Sequence, residues 1–572
     1  MKSLTTQIVQ YGTELNSESI GMALSGLQCM KSGTYEVQHL LEALSAAIRR
    51  SSAELSSADI GIAMYGLRNM NSDSRAVQNI LEAMSVKIRE GKGEFSGKDI
   101  GMALYGLNGM KSIHREVVSV VDALALKANQ SGSVMDGHSI GLAMYGMKNM
   151  TCQSKPVKDV LKALTVKMNQ NGAQLDGESI GMALYGLQSM KSVTYEVREF
   201  LKALNIKIQE SDAELSGKNI VMSMYGIKNM SSDVSSVQNI LETLSLKIEQ
   251  CTTELSGDEV GMALFGLRGM KSYQRPAQRC VEALANKVQQ SRSAMDDHAI
   301  GMALFGLQGM SSTFKPVQRL LVNLVRKIEE SDAMFSAKAI SMALYGLQNM
   351  ESYHGPVQGI LKALAVKLAL STAQFDGRAL GDCLYGLKRM SSEVQAVQEI
   401  LVELEKKIRE SKAEVTGAKI GTGLYGLQCM TSDVPAVRNI LETLSIKIRQ
   451  CKDELSGKDI GMALFGLRRM KSDDRGVDAV LTELVTKIRQ SGSDLGGLDI
   501  EMALSGLSGM STEVEIVRDL LEALMLKIRK SNAKLSEKNM RMALSGLKYM
   551  NDGDAIVKDV KIALSEKLVV NR

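Results

Sequence analysis

A ten-residue phrase recurs along this chain at a fixed step of forty residues. Residues 101–110 are GMALYGLNGM and residues 181–190 are GMALYGLQSM, and variants of the phrase fill the same register fourteen times. No other feature constrains the fold as much. A chain of 572 residues is too long for one compact core, which leaves several domains or one array of repeats. An exact period selects the array.

One unit, residues 96–134, shows what each repeat folds into. Ser96 stands where a helix N-cap belongs, with Asp99 three residues on. Thirteen of the fourteen units carry Ser, Thr, Asp or Asn there, and only Gly496 lacks a capping side chain. Ile100, Ala103, Leu104, Leu107 and Met110 then form the apolar stripe of a first helix. After a short polar link, Val117, Val120, Val121, Leu124 and Ala128 mark a second helix. All five prolines, Pro156, Pro276, Pro316, Pro356 and Pro435, fall at or just before its start, where a missing N–H costs nothing. Strand-like alternation is absent from the sequence. Each unit is therefore an αα-hairpin that cannot bury its apolar faces alone, and stacked neighbours must complete the core. The expected fold is all-α: a right-handed α-solenoid of about fourteen 40-residue hairpins, continuous over 16–572. Residues 1–15 resemble the back half of a repeat and are expected to be a second-helix remnant. Because no unit gains or loses a residue, a uniform superhelix without inserted loops is expected.

Two invariant residues sit inside the phrase. The glycine, Gly26 to Gly546, occurs in all fourteen units. The stripe places it within the first helix, where glycine costs roughly 1 kcal/mol against alanine. Close approach by the neighbouring repeat would offset that cost; a backbone surface for a ligand is the alternative. The methionine, Met30 to Met550, is also invariant. It reads as an adaptable core filler, with a methionine-lined binding groove as the alternative.

Three further positions are candidates for function. The first is a variable polar site: Gln28, Arg68, Asn108, Lys148, Gln188, Lys228, Arg268, Gln308, Gln348, Lys388, Gln428, Arg468, Ser508 and Lys548. It is never acidic and never apolar. Such a row suits an anionic or acceptor-rich ligand, although a helix C-terminus alone also favours bases over acids. The second is a lysine of the second helix, present in thirteen units and exemplified by Lys207, Lys247, Lys287 and Lys327. Stacked hairpins would align these ammonium groups as a ladder, either to meet phosphates or to lay their stems over the core edge. The third is an aromatic of the first helix: Tyr65, Tyr105, Tyr145, Tyr185, Tyr225, Phe265, Phe305, Tyr345, Tyr385, Tyr425 and Phe465, with serine at Ser25, Ser505 and Ser545. It lies away from the hairpin's own stripe, so it packs on the next repeat or lines the groove, where bases could stack on it.

Other chemistry finds no support in the sequence. The five histidines are scattered, no nucleophile or carboxylate pair stands out from the repeat, and the glycines do not follow a strand. The chain is not expected to be an enzyme, and no cofactor or metal is expected. Seven cysteines, odd in number and never spaced as CxxC, fit a reducing, intracellular compartment better than a disulfide framework. Neither a membrane span nor a targeting segment is visible. The net charge of +5 does not by itself indicate nucleic acid.

The phrase at 180–190, with Tyr185, Gly186 and Leu187 after an apolar run, resembles the first helix of octotricopeptide-type repeats and of the related heptatricopeptide repeats. That resemblance implies an α-solenoid that binds single-stranded RNA, with roughly one nucleotide met per repeat by variable polar side chains and a role in transcript processing or stability. The sequence departs from the families in having Tyr or Phe where Trp is common, in lacking their proline-rich segment, and in ending on a repeat rather than a RAP-type domain. On this reading the ligand sites are Arg68, Asn108, Lys148, Gln188, Lys228, Arg268, Gln308, Gln348, Lys388, Gln428 and Arg468 for base edges, and Lys207, Lys247, Lys287 and Lys327 for phosphates. The chain would act as a monomer. The competing expectation is a protein-interaction scaffold that holds a peptide or helix in its concave groove.

Overall fold

The computed structural model describes residues 5–8, 15–170 and 173–568. Most of the expected remnant at 1–15 lies outside the described residues. The chain forms two compact units, divided between Ser291 and Arg292. Each is a stack of αα-hairpins. A short first helix (for example Gly97–Tyr105 or Gly177–Tyr185) alternates with a longer second one (Arg115–Gln130, Tyr195–Glu210). Apart from a single isolated bridge between Leu535 and Leu568, the described residues hold no extended pairing.

Local sequence chemistry sets the helix starts. Ser96 Oγ accepts from the Asp99 N–H at 3.1 Å, and the Asp136 and Asp176 carboxylates each accept from the N–H three residues on at 2.7 Å. At Gly496, which has no capping side chain, Asp499 reaches back to accept from the glycine N–H at 2.9 Å. Four prolines occupy the second position of their helix and Pro435 the first. The first helices stop sooner than the apolar stripe predicts. Gly106 and Gly186 are C-caps, and Leu107 to Met110 continue as turns with i→i+3 bonds such as Leu107 N–H to the Leu104 carbonyl. The invariant glycine therefore sits at the helix end in most repeats, where its propensity cost is smaller than in an interior.

What that glycine offsets is visible between repeats. A Cβ on Gly186 would overlap the carbonyl oxygen of Met144 in the preceding hairpin, and Gly106, Gly226, Gly346 and Gly426 meet their neighbours' helix ends in the same way. Only a hydrogen fits. The close-approach reading holds. The invariant methionines also behave as expected: Met70 to Met550 are buried, most with no exposed area. Successive hairpins are tied by a serine that the sequence reading passed over. Ser72 Oγ accepts from the Lys111 N–H at 3.1 Å, and Ser352 does the same for Ser391 at 2.9 Å. The signal was present as a recurrent serine two residues after the invariant methionine.

Candidate nucleic-acid interface

The aromatic residues of the first helices form a stack. In the first unit Tyr65, Tyr105, Tyr145, Tyr185, Tyr225 and Phe265 lie ring on ring with centroids 5.4–5.8 Å apart. In the second, Phe305, Tyr345, Tyr385, Tyr425 and Phe465 repeat the arrangement at 5.4–6.1 Å. Each ring is partly exposed. In a stack of equivalent hairpins, the distance between equivalent points is the local step. The ring spacing thus matches the close approach of successive first helices at the invariant glycine. The rings are already partnered with one another, which leaves edges and hydroxyls, rather than gaps between rings, for a ligand. Burial raises the pKa of Tyr105, Tyr185, Tyr345 and Tyr385, and these hydroxyls stay protonated as donors.

The variable polar position lies directly on this row, three residues after each aromatic. Where it is basic, the cation covers a ring. The Arg68 guanidinium carbon is 4.1 Å from the Tyr65 centroid, the Lys148 ammonium 4.4 Å from Tyr145, and Lys228 3.2 Å from Tyr225. Arg268 lies 5.6 Å from Phe265, Lys388 4.4 Å from Tyr385, and Arg468 4.6 Å from Phe465. Such contacts hold a charged head at a half-buried surface without an acid beside it. Four of the six amides at this position are drawn in further: Asn108, Gln188, Gln348 and Gln428 are buried, while Gln308 is partly exposed and Gln28, in the first repeat, is exposed. Neighbouring positions touch. Asn108 Nδ2 donates to Asn69 Oδ1 at 3.1 Å, Lys388 Nζ to Gln348 Oε1 at 2.9 Å, and Arg468 Nε to the Gln428 carbonyl at 3.2 Å. Two buried strip atoms, Arg68 Nη1 and Asn108 Oδ1, have no hydrogen-bond partner. Burial, helped by the nearby Arg268, brings the Lys228 pKa down to about 8.

The second-helix lysines are placed quite differently. Lys247, Lys287 and Lys327 are buried, and their ammonium groups donate to backbone carbonyls at the end of the preceding repeat. Lys247 reaches the Ser211 carbonyl at 2.5 Å, Lys287 that of Cys251, and Lys327 that of Ser293 at 2.9 Å. Lys87 bonds the Ser51 carbonyl at 2.6 Å in the same geometry. Lys207, less buried, pairs with Glu210 at 2.8 Å. Lys247, Lys287 and Lys327, expected to face phosphate, thus have backbone carbonyls inside the stack as partners, near the C-terminal end of the preceding second helix, whereas Lys207 is held by an acid. The sequence could not separate the two roles, because both need a lysine in every repeat.

Among the described residues no group of His, Cys, Asp and Glu could hold a metal, and no helix is long and apolar enough to cross a membrane. All seven cysteines are free.

These stacked hairpins define the chain as a helical-repeat protein of the α-solenoid class. No protein-family profile and no curated protein matches it. Among solved structures it is similar to a homology model of the full-length AP-3 complex in an intermediate open conformation (10% identity, 98% of this chain and 94% of that one, TM-score 0.33). It is also similar to the pentatricopeptide repeat protein PPR10 in complex with an 18-nt psaJ RNA element (13% identity, 99% and 74%, TM-score 0.29). A third is SYS-1 (10% identity, 100% and 96%, TM-score 0.23). At these values the likeness extends to nothing more specific than stacked helices.

Proposed function

We propose that the chain is a single-stranded RNA-binding solenoid of octotricopeptide type, which holds RNA along the first-helix face and acts on transcript processing or stability without chemistry of its own. The observation that carries this reading is the polar row itself. One side chain per repeat, always basic, amide or hydroxyl, recurs in register with an aromatic row that spans eleven of the fourteen repeats. Arginine and lysine match the guanine O6/N7 edge, and asparagine and glutamine can donate and accept at an adenine edge. Half-exposed ring edges and tyrosine hydroxyls add apolar and donor surface beside each base. Because the rings stack on each other, bases approach this row from its edge and do not intercalate.

The test is selection from a random RNA pool by the whole protein, followed by the exchange Lys388→Gln with Gln428→Lys. The exchange leaves the charge of the strip unchanged. The selected sequence should change at neighbouring positions, by ~1–3 kcal/mol of discrimination for each altered contact, while pooled affinity changes little. Failure of the wild-type protein to retain RNA at low salt would overturn the proposal in favour of a scaffold for a peptide or helix.

A further inference from the structure

The proposed RNA site needs a phosphate contact, because Lys247, Lys287 and Lys327 are committed to carbonyls and Lys207 to Glu210. The first turn of the first helices supplies one. The second residue after each N-cap is exposed in every repeat of the second unit: His298, Lys338, Arg378, Ala418, Lys458, Leu498 and Lys538. This row is never acidic. Its counterpart in the first unit is equally exposed but mixed in sign, with Glu18, Glu178 and Asp258 interrupting Lys98 and Lys218.

Two observations tie the basic row to the aromatic face. It precedes the aromatic by seven residues on the same helix, about 10 Å at helical rise. The charge of Lys458 also acts on the hydroxyl of Tyr385, two repeats earlier, as that of Glu178 acts on Tyr105. Four acids near Lys338, Arg378 and Lys458 at this end of the second unit are engaged within the protein, while Glu537 beside Lys538 is exposed. Asp296 and Asp376 accept from their own helix N–H groups at 2.7 Å, Asp459 accepts from Ser456, and Asp382 is bridged by Lys419 at 2.6 Å. Arg378, 3.6 Å from Asp382, still exposes 81% of its side chain. A basic row thus runs parallel to the aromatic row, about one helix length from the variable side chains.

We infer that Lys338, Arg378 and Lys458 form the track for the phosphate backbone of the bound single strand, and that the second unit carries most of the electrostatic grip. This rests on the RNA reading above. It assigns the strand an orientation across the helices, with bases toward the variable row and phosphates toward the helix N-termini. Backbone contact here is independent of sequence and releases counterions.

The experiment compares the full chain with the triple variant Lys338→Gln/Arg378→Gln/Lys458→Gln and with the first-unit control Lys98→Gln/Lys218→Gln. Binding of a random-sequence single-stranded RNA pool is measured across a salt series, and circular dichroism checks the fold. Each single-strand phosphate contact contributes ~0.7 to the slope of log K against log salt. The triple variant should lose about 2 in slope, the control well under half of that, and the preferred sequence should not change. A wild-type protein that binds RNA while the triple variant keeps its slope overturns the track alone. A wild-type protein that binds no RNA overturns both the track and the RNA reading, and triple-variant-sensitive retention of poly-glutamate in that case would assign the row to an acidic peptide.

Discussion

Two rows of side chains recur once per repeat in phase, and both are rich in cations. The variable row of the first helices changes from unit to unit: its basic members lie half-buried over aromatic rings, and four of its amides are buried beside them. The lysine row of the second helices is nearly constant, buried, and spent on carbonyls of the preceding hairpin. Recurrence alone made both look like ligand sites. The difference lies in what each charge has for a partner. A buried ammonium with two carbonyls is part of the joint between repeats. A cation over a ring edge still has donors to offer.

The sharpest way to break the joint is at the glycine. Gly186→Leu should cost more than ~3 kcal/mol locally, because the new side chain must displace the Met144 carbonyl and the backbone around it. Gly355→Ala, where a Cβ meets nothing within 4 Å, is the control and should be close to neutral. Denaturant unfolding followed by circular dichroism measures both, and hydrogen exchange should show distant repeats still protected, since stability in such arrays passes between neighbours. A full-strength Gly186→Leu protein would refute the close-approach account.

A smaller effect separates the two rows directly. Lys247→Met leaves the Ser211 and Ala213 carbonyls without their donor, at a cost of ~1–3 kcal/mol. The salt dependence of RNA binding should not move. If the slope falls and stability does not, the second-helix lysines face phosphate after all. Below that comes the ring stack. Tyr345→Leu removes contacts with Phe305 and Tyr385 at 5.5 and 5.4 Å and should lower stability by ~0.5–1.5 kcal/mol beyond the change in buried area.

The last comparison concerns the pH dependence set by Lys228. Its pKa of about 8 in the fold lies below the ordinary 10.5. Between those values the unfolded chain holds a proton that the folded chain does not, so the stability contributed at this site rises with pH across that interval and is lowest below about 8. Thermal melts of the protein and of Lys228→Gln from pH 7 to 10.5 should differ in slope, with the variant flatter. Parallel curves would mean that the lysine head is fully hydrated.

By itself the sequence determined the hairpin, its period and where its helices start. Those follow from local rules: an N-cap side chain bonds a nearby N–H, proline tolerates only a helix start, and an apolar stripe must face a core. For Gly186 and Met190 the sequence favoured packing but left a ligand surface open, and the structure decided for packing by placing the Met144 carbonyl against the glycine and burying the methionine. The first helix ends earlier than its stripe because the tight meeting of hairpins at Gly106 and Gly186, invisible locally, turns the chain there. Only the tertiary structure decided which recurrent cations are free to meet a ligand. Lys287 and Lys388 both belong to rows that recur once per unit and are rich in cations, but their charges are set apart by partners that lie in another hairpin. The carbonyl that Lys287 meets is thirty-six residues away, and the Gln348 oxygen that Lys388 meets is forty away. Stacking brings those groups within reach, and no local rule encodes the distance.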